Sequence, residues 1–410
     1  MDKIIKSLLY LVLLTPLIYF SDFLFPFVSA KSLWFNSLIG FSFILHIWHC
    51  YKNKQPIFQF NKLDKWLLAF IALIFFTSFY GVDLYQSWFG NFERSNGLLF
   101  FFNLFLYYYL LRRYISNWSR YLSVFLLVSA TTGLIAFFQW QGTFPFLQLF
   151  TNPHGKVWSV LGNYIYLGNF SLFGIFLSLF LYSRSTHWGL KALAILSFFL
   201  SFQGIFLAAS RGPFIGLIIG SFALWLIYFI KGSTRERYIL GGIFLAILGL
   251  LVLFYMRPSA WLLHHLPGWN VMSDVRFTGS IKTRILAWGV AWQSFLQRPL
   301  LGWGNENFAY AYNLYFNPES FHIGGLYEMS FDRAHNYYFD RLVEQGIGGL
   351  VLWLLVMWQF LKESYLKHEY FITALLIASA VSLNFVFLDL SNYIALFLLF
   401  AFLNRYENHS

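Results

Sequence analysis

Apolar runs of about twenty residues, each long enough to cross the hydrocarbon core of a bilayer as a helix, recur along the whole chain. A soluble protein of 410 residues would be two or three domains with a charged surface. Here hydrophobic residues make up 59% and charged residues only 11%, which excludes that reading. The runs fall near residues 7–26, 32–50, 64–80, 97–115, 121–140, 164–183, 190–209, 212–230, 238–256, 337–361, 370–388 and 390–404. They predict an all-α fold, a polytopic membrane helix bundle with about 12 transmembrane helices. The first run follows Lys3 and Lys6, as a signal peptide would. It lacks a small-residue cleavage site, so it reads as a retained first helix. A single cysteine, Cys50, excludes an internal disulfide and a cysteine-based metal site.

The net charge of +11 does not require nucleic acid as a partner, because its distribution reports topology. Alternate connections collect Lys3 and Lys6; Lys52, Lys54, Lys62 and Lys65; Arg112, Arg113 and Arg120; Arg184 and Lys191; Lys231, Arg235 and Arg237; Lys362 and Lys367; and Arg405. The short connections of the opposite set hold only Lys31, Arg94, Lys156 and Arg211. Because lysine and arginine are retained on the cytoplasmic side, both termini are predicted to be cytoplasmic.

The same parity places one long connection outside. The chain therefore divides into residues 1–256 with nine transmembrane helices, a long extracytoplasmic loop at 257–335, and residues 336–410 with three more helices and a short cytoplasmic tail. The loop should contain amphipathic helices. Ile285, Trp288, Trp292 and Phe295 recur at helical spacing over Ile281–Gln297, and Pro299 stops that helix. Trp261, Trp269 and Trp303 also suit a segment at the membrane surface.

Ionisable residues cluster where this loop enters the next run, over Phe331 to Gly349. Arg333 and His335 lie at the mouth of the helix, and Asp340, Arg341 and Glu344 follow within two turns. Charges at such depth usually face a bundle interior or a wet cavity, although ordinary interfacial charges at a helix end give the same pattern. Gly346, Gly348 and Gly349 then offer a narrow face for close helix packing.

On the same side, arginine predominates, and its planar fork suits bidentate capture of phosphate oxygens. Arg211, in Ala209-Ser210-Arg211-Gly212-Pro213, reaches into the interface from a connection of a few residues. Its alternative is an arginine snorkelling at a tight turn. Arg284 precedes Trp288 by one helical turn, so both project on one face, or Arg284 is simply a solvated charge. Arg94 either joins these or pairs locally with Glu93. Gly302-Trp303-Gly304-Asn305-Glu306-Asn307-Phe308 reads as a structural turn, and the scattered carboxylates form no metal-ligand pattern. A histidine of near-neutral pKa can take a proton from a hydroxyl nucleophile, while arginines hold a pyrophosphate and stabilise its leaving charge.

Several motifs in this order resemble the O-antigen ligase / O-antigen polymerase superfamily of bacterial membrane glycosyltransferases. They are Arg94-Ser95-Asn96-Gly97-Leu98-Leu99, Leu161-Gly162-Asn163-Tyr164-Ile165-Tyr166-Leu167-Gly168, and Ala209-Ser210-Arg211-Gly212. Thr283-Arg284-Ile285-Leu286-Ala287-Trp288 follows, then Pro299 to Phe308, His335-Asn336, and Glu344-Gln345-Gly346-Ile347-Gly348-Gly349. The resemblance covers roughly residues 80–400. It implies transfer of a glycan from undecaprenyl pyrophosphate to an acceptor hydroxyl, without nucleotide sugar, cofactor or metal. It implies that His335 is the catalytic base and that Arg211, Arg284 and Arg94 bind the substrate pyrophosphate. The partners implied are an undecaprenyl-pyrophosphate-linked glycan, a lipid A–core or other glycan acceptor, and membrane lipids, with the site on the outer side of the bacterial cytoplasmic membrane. The sequence departs from many relatives at Tyr164-Ile165-Tyr166, where they carry Pro-Asn-Tyr, and no role is assigned there. No large C-terminal extension follows, which weakens a protein acceptor. A ligase acting on lipid A–core leads; a polymerase joining lipid-linked repeat units shares the same donor chemistry. A twelve-helix transporter or flippase would instead predict a long central cytoplasmic connection, and the connection at 184–191 is short.

Overall fold

A computed structural model describes residues 1–143, 156–256, 280–316 and 331–405. Trp261, Trp269 and residues 257–279 and 317–330 of the long loop lie outside the described residues. All regular structure among the described residues is helical. The chain divides into two compact units. One comprises Met1–Ser116, Arg276–Phe360 and Leu383–Ser410, and the other Asn117–Val275 and Leu361–Ser382.

The first unit contains α1 (Asp2–Val12), α2 (Ser29–Lys52), α3 (Lys62–Phe79), α4 (Leu84–Phe89) and α5 (Leu98–Tyr114). The second is built from α6 (Trp118–Gln141), α7 (Tyr164–Arg184), α8 (Trp188–Ala208), α9 (Arg211–Lys231) and α10 (Thr234–Met256). The helices α11 (Ser280–Gln297) and α12 (Phe308–Leu314) return to the first unit, as does α13 (Tyr337–Leu366) up to Phe360. Finally α14 (Tyr370–Ser382) belongs to the second unit and α15 (Leu390–Leu403) to the first.

Six of these helices (α2, α6, α7, α8, α9 and α13) are long and apolar enough to cross a membrane. The apolar helices α14 and α15 are shorter, with 13 and 14 residues. Every predicted run after the first coincides in position with a helix, and α11 occupies the predicted Ile281–Gln297 almost to the residue. The first run does not form one helix. Helix α1 ends at Val12, and a single 3-10 turn follows at Thr15–Leu17. Pro16 has no N–H to give the Val12 carbonyl, and the Thr15 hydroxyl takes that carbonyl instead at 2.6 Å. The run predicted over 370–388 likewise stops at Ser382.

Helix α15 is the centre of the first unit, with every one of its residues buried. It packs along α5, and Phe400 stacks on Phe360 of α13 with ring centroids 4.0 Å apart. Its C-terminal end is tied by a polar cluster. Asn61 caps α3 by accepting from the Leu63 and Asp64 N–H groups, and Asp64 accepts from the Asn61 N–H in return. Asp64 also meets the Arg112 guanidinium at 2.5 Å, the Tyr108 hydroxyl at 2.6 Å and the Asn404 amide at 3.0 Å. Arg112 donates onward to the Gln59 carbonyl. Both charges are fully buried, so the hydrogen bonds to Tyr108, Asn404 and Gln59 are what make the pair tolerable in an apolar bundle.

In the second unit small residues let helices approach closely. Gly174 faces Ser129 and Ser201, whose hydroxyls are 3.0 Å apart, and Gly204 faces Ser171. Gly216 and Gly220 lie against α14 at Ala378 and Ala374. Such interfaces replace the hydrophobic drive that is missing between helices in lipid. Arg184 at the end of α7 pairs with Glu369 at 2.7 Å, just ahead of α14.

Replacing Asp64 by Ala should destabilise the protein by about 3–5 kcal/mol, because Arg112 is left buried and uncompensated. A lower thermal-unfolding midpoint in detergent checks this, and a midpoint equal to wild type would contradict it.

Candidate functional site

The site is built where the turn after α11 meets the first half of α13. Pro299 cannot extend α11, and the chain turns through Gly302 and Gly304, with φ of +67° and +95°. Within α13, Gly346 has φ +66° and ψ −165°, which breaks the helical path. The two irregularities exchange backbone hydrogen bonds. The Trp303 N–H donates to the Val343 carbonyl at 2.9 Å and the Gly304 N–H to the Glu344 carbonyl at 3.0 Å. The Ile347 N–H, which a regular helix would give to Val343, donates to the Pro299 carbonyl at 2.8 Å. A Cβ at Gly346 would overlap the Leu300 carbonyl, so glycine is required twice over.

This corrects one expectation. Gly346, Gly348 and Gly349 do not form a common helix-packing face: Gly346 is a break, Gly348 lies near Leu73 alone, and a Cβ at Gly349 would meet its own helix at Gln345 and Arg341. The reading of 302–308 as a structural turn holds.

Charge compensation joins the same pieces. Arg333 bridges Glu306 of the turn and Glu344 of α13, the latter at 2.8 Å. Arg341 reaches the other oxygen of Glu344 at 2.5 Å. Gln345 donates to the Asn305 side-chain oxygen at 3.1 Å, and the Asn305 amide donates to the Asn96 carbonyl. All of these groups are buried, so the charged segment faces an interior of the first unit. Arg94 is ion-paired with Asp332, lies 3.6 Å from Glu93, and sits 4.9 Å from the centre of the Phe387 ring.

His335 stands at the centre of this arrangement, just ahead of α13. Asn336 caps the helix by accepting from the Tyr338 and Phe339 N–H groups. His335 itself is half-buried and left-handed, with φ +52°. Its ring meets Phe331 and Phe387 edge-on, with centroids 5.4 and 5.5 Å away. Its Nδ1 lies 3.3 Å from the Arg333 carbonyl. A carbonyl only accepts, so that contact puts the proton on Nδ1 and leaves Nε2 as the basic atom. Burial, and then the positive charge of Arg284, push the His335 pKa down to about 4. The imidazole is therefore neutral at pH 7 and able to accept a proton.

Arg284 and Trp288 share a face of α11, as their spacing predicts. The Trp288 indole N–H donates to the Ala334 carbonyl at 3.0 Å, beside the histidine on which Arg284 acts. Arg94, Arg284 and His335 thus all belong to the first unit. Arg211 belongs to the second, as the first residue of α9. There Ala209, left-handed at φ +48°, ends α8, and Ser210 is the N-cap residue. An apolar groove of about 350 Å³ opens in that unit, lined among others by Phe202, Phe206, Phe214, Trp225 and Phe244. Phe214 lies one helical turn beyond Arg211. No group of three or more His, Cys, Asp or Glu among the described residues is placed to hold a metal.

The sequence reading placed Asp340 among the charges at the helix mouth without giving it a role, and it did not single out Glu306 or Asp332. Glu306 was hidden in a turn motif, and nothing in its spacing from Arg333 marks the two as partners. Asp340 carried one usable signal, a carboxylate in the first turn of a long apolar helix.

The O-antigen ligase family model matches residues 196–354, a stretch that holds Arg211, Arg284 and His335. No curated protein matches the chain. The match spans less than half of the chain; with the apolar helices it supports an integral membrane protein that resembles O-antigen ligases over that stretch.

Arg333→Leu should cost about 3–5 kcal/mol, since Glu306 and Glu344 lose the cation between them. Arg333→Lys should recover only part, because an ammonium is a point charge and cannot reproduce the planar fork that serves two carboxylates. Thermal unfolding of the three proteins in one detergent checks both statements.

Proposed function

We propose that this protein is an O-antigen ligase-like glycosyltransferase of the bacterial cytoplasmic membrane. It moves a glycan from undecaprenyl pyrophosphate to a hydroxyl of a lipid A–core acceptor. The observation that carries this reading is His335: a neutral imidazole with Nδ1 engaged, Nε2 basic, and a pKa lowered by burial and then by Arg284. The acceptor hydroxyl gives its proton to His335 Nε2, and its oxygen attacks the anomeric carbon of the donor sugar. The bond from that carbon to the pyrophosphate oxygen breaks, and the electron pair leaves with the pyrophosphate. Arg284 and Arg211 are assigned to the pyrophosphate because guanidinium forks match its oxygens and stabilise the charge gained on leaving. Arg94 is assigned beside them, although its pairing with Asp332 also suits a role in holding the histidine loop. The apolar groove beginning one turn from Arg211 supports a prenyl tail as part of the donor. The positive-inside pattern supports cytoplasmic termini and a site facing the outer side. No step requires a metal.

The test is transfer by purified protein from a polyprenyl-pyrophosphate glycan, offered lipid A–core and a second lipid-linked repeat in competition. Product on the core establishes a ligase, and lengthened lipid-linked chains establish a polymerase. No product on either acceptor would overturn the reading. His335→Ala should lower the rate on the order of 10²–10⁴-fold while leaving membrane insertion intact. Arg211→Ala and Arg284→Ala should weaken donor use, with lysine a poor substitute.

The pH dependence has a definite sign. The acid limb of kcat/KM should fall near pH 4, well below the ordinary histidine value of 6.5. Arg284→Ala removes a positive charge that disfavours imidazolium, so its acid limb should move to higher pH. A limb that stays in place would remove Arg284 from the histidine's surroundings.

A further inference from the structure

We infer that Asp340 is a positioning residue for His335, and that it works with Trp288 by gripping Ala334, the residue immediately before the histidine. This rests on the proposed role of His335. Asp340 is fully buried in the first turn of α13. One of its carboxylate oxygens accepts the Ala334 N–H at 2.7 Å, and the other has no hydrogen-bond partner. From α11, the Trp288 indole donates to the Ala334 carbonyl at 3.0 Å. Ala334 is thus held from both of its polar atoms, by two helices of the same unit.

The next residue shows why such a grip is needed. His335 adopts φ +52°, a left-handed conformation that disfavours an L residue and persists only where its surroundings fix it. On its far side the chain is fixed equally firmly. Asn336 caps α13, and the Tyr337 N–H donates to the Leu383 and Val386 carbonyls at 2.9 and 3.2 Å. Release of Ala334 would let the His335 backbone relax toward negative φ, carrying the ring from its place between Phe331 and Phe387. Among the described residues the carboxylate accepts its one hydrogen bond from the loop, and the nearby charges of Arg333 and Arg341 compensate its burial.

Asp340→Asn and Asp340→Leu separate the acceptor from the charge, because both remove the charge and only Asn keeps an oxygen for Ala334. In the transfer assay, Asp340→Leu should lower kcat on the order of 10²-fold with the donor KM little changed, as a misplaced base does. Asp340→Asn should recover most of that rate. Equal loss in the two variants would assign the effect to charge and overturn the inference.

A second measurement needs no substrate. Diethyl pyrocarbonate modification of His335, followed by peptide mapping, should speed up in Asp340→Leu and stay at the wild-type rate in Asp340→Asn. Unchanged modification in a folded Asp340→Leu protein overturns the positioning role. If Asp340→Leu does not fold, Trp288→Phe releases Ala334 at its carbonyl instead and should give the same two signatures. Failure of wild-type transfer on every acceptor would count against the proposed reaction, while the modification rates would still decide the positioning role.

Discussion

Arg333 between Glu306 and Glu344 is the interaction on which the functional end of this protein depends. Each ion would cost several kcal/mol to bury alone, and the three together, with Arg341 on the second Glu344 oxygen, compensate one another. The network does more than neutralise charge. Glu306 belongs to the turn after α11, Arg333 to the histidine loop and Glu344 to α13, so one guanidinium fixes three separate segments. The Asp64–Arg112 cluster does the same for α3, α5 and the end of α15. Apolar side chains in lipid tolerate sliding, whereas paired charges and hydrogen bonds specify one register.

The break in α13 follows from the same economy of polar groups. A helix interrupted at Gly346 would expose carbonyls in an apolar setting, where each unsatisfied group is expensive. The turn at 302–304 supplies the missing donors, and the Pro299 carbonyl accepts the N–H that the break releases. Neither irregular segment satisfies its backbone without the other. The result is a rigid seat, with the core of α11, α12 and the histidine loop packed around Ala287, Ala311, Tyr312 and Phe331.

From that seat the chemistry of His335 follows. The Arg333 carbonyl sets the tautomer, burial and Arg284 keep the ring neutral, and the grip on Ala334 sets the backbone angle. Lowering the pKa makes His335 a weaker base in the empty protein. In the proposed reaction, a pyrophosphate held by Arg284 would offset that positive charge, and donor binding would then raise the basicity of His335.

Much of this was legible in the sequence because helix periodicity and lipid solubility are local properties. The apolar runs marked the helices, Pro299 marked the end of α11, and the spacing of Arg284 and Trp288 placed both on one face. The first run failed because Pro16 outweighed a favourable hydropathy pattern, a reminder that a missing donor can stop a helix that composition favours. Gly346 was misread because a helix-packing glycine and a helix-breaking glycine look alike in a sequence, and only the carbonyl of Leu300 behind it decides which it is. Sequence alone thus determined the helical class, the membrane setting and the residue types able to hold a pyrophosphate and move a proton. Tertiary structure alone decided which carboxylate meets which arginine and which atoms hold the His335 loop, because those partners are brought together by packing across long sequence separations.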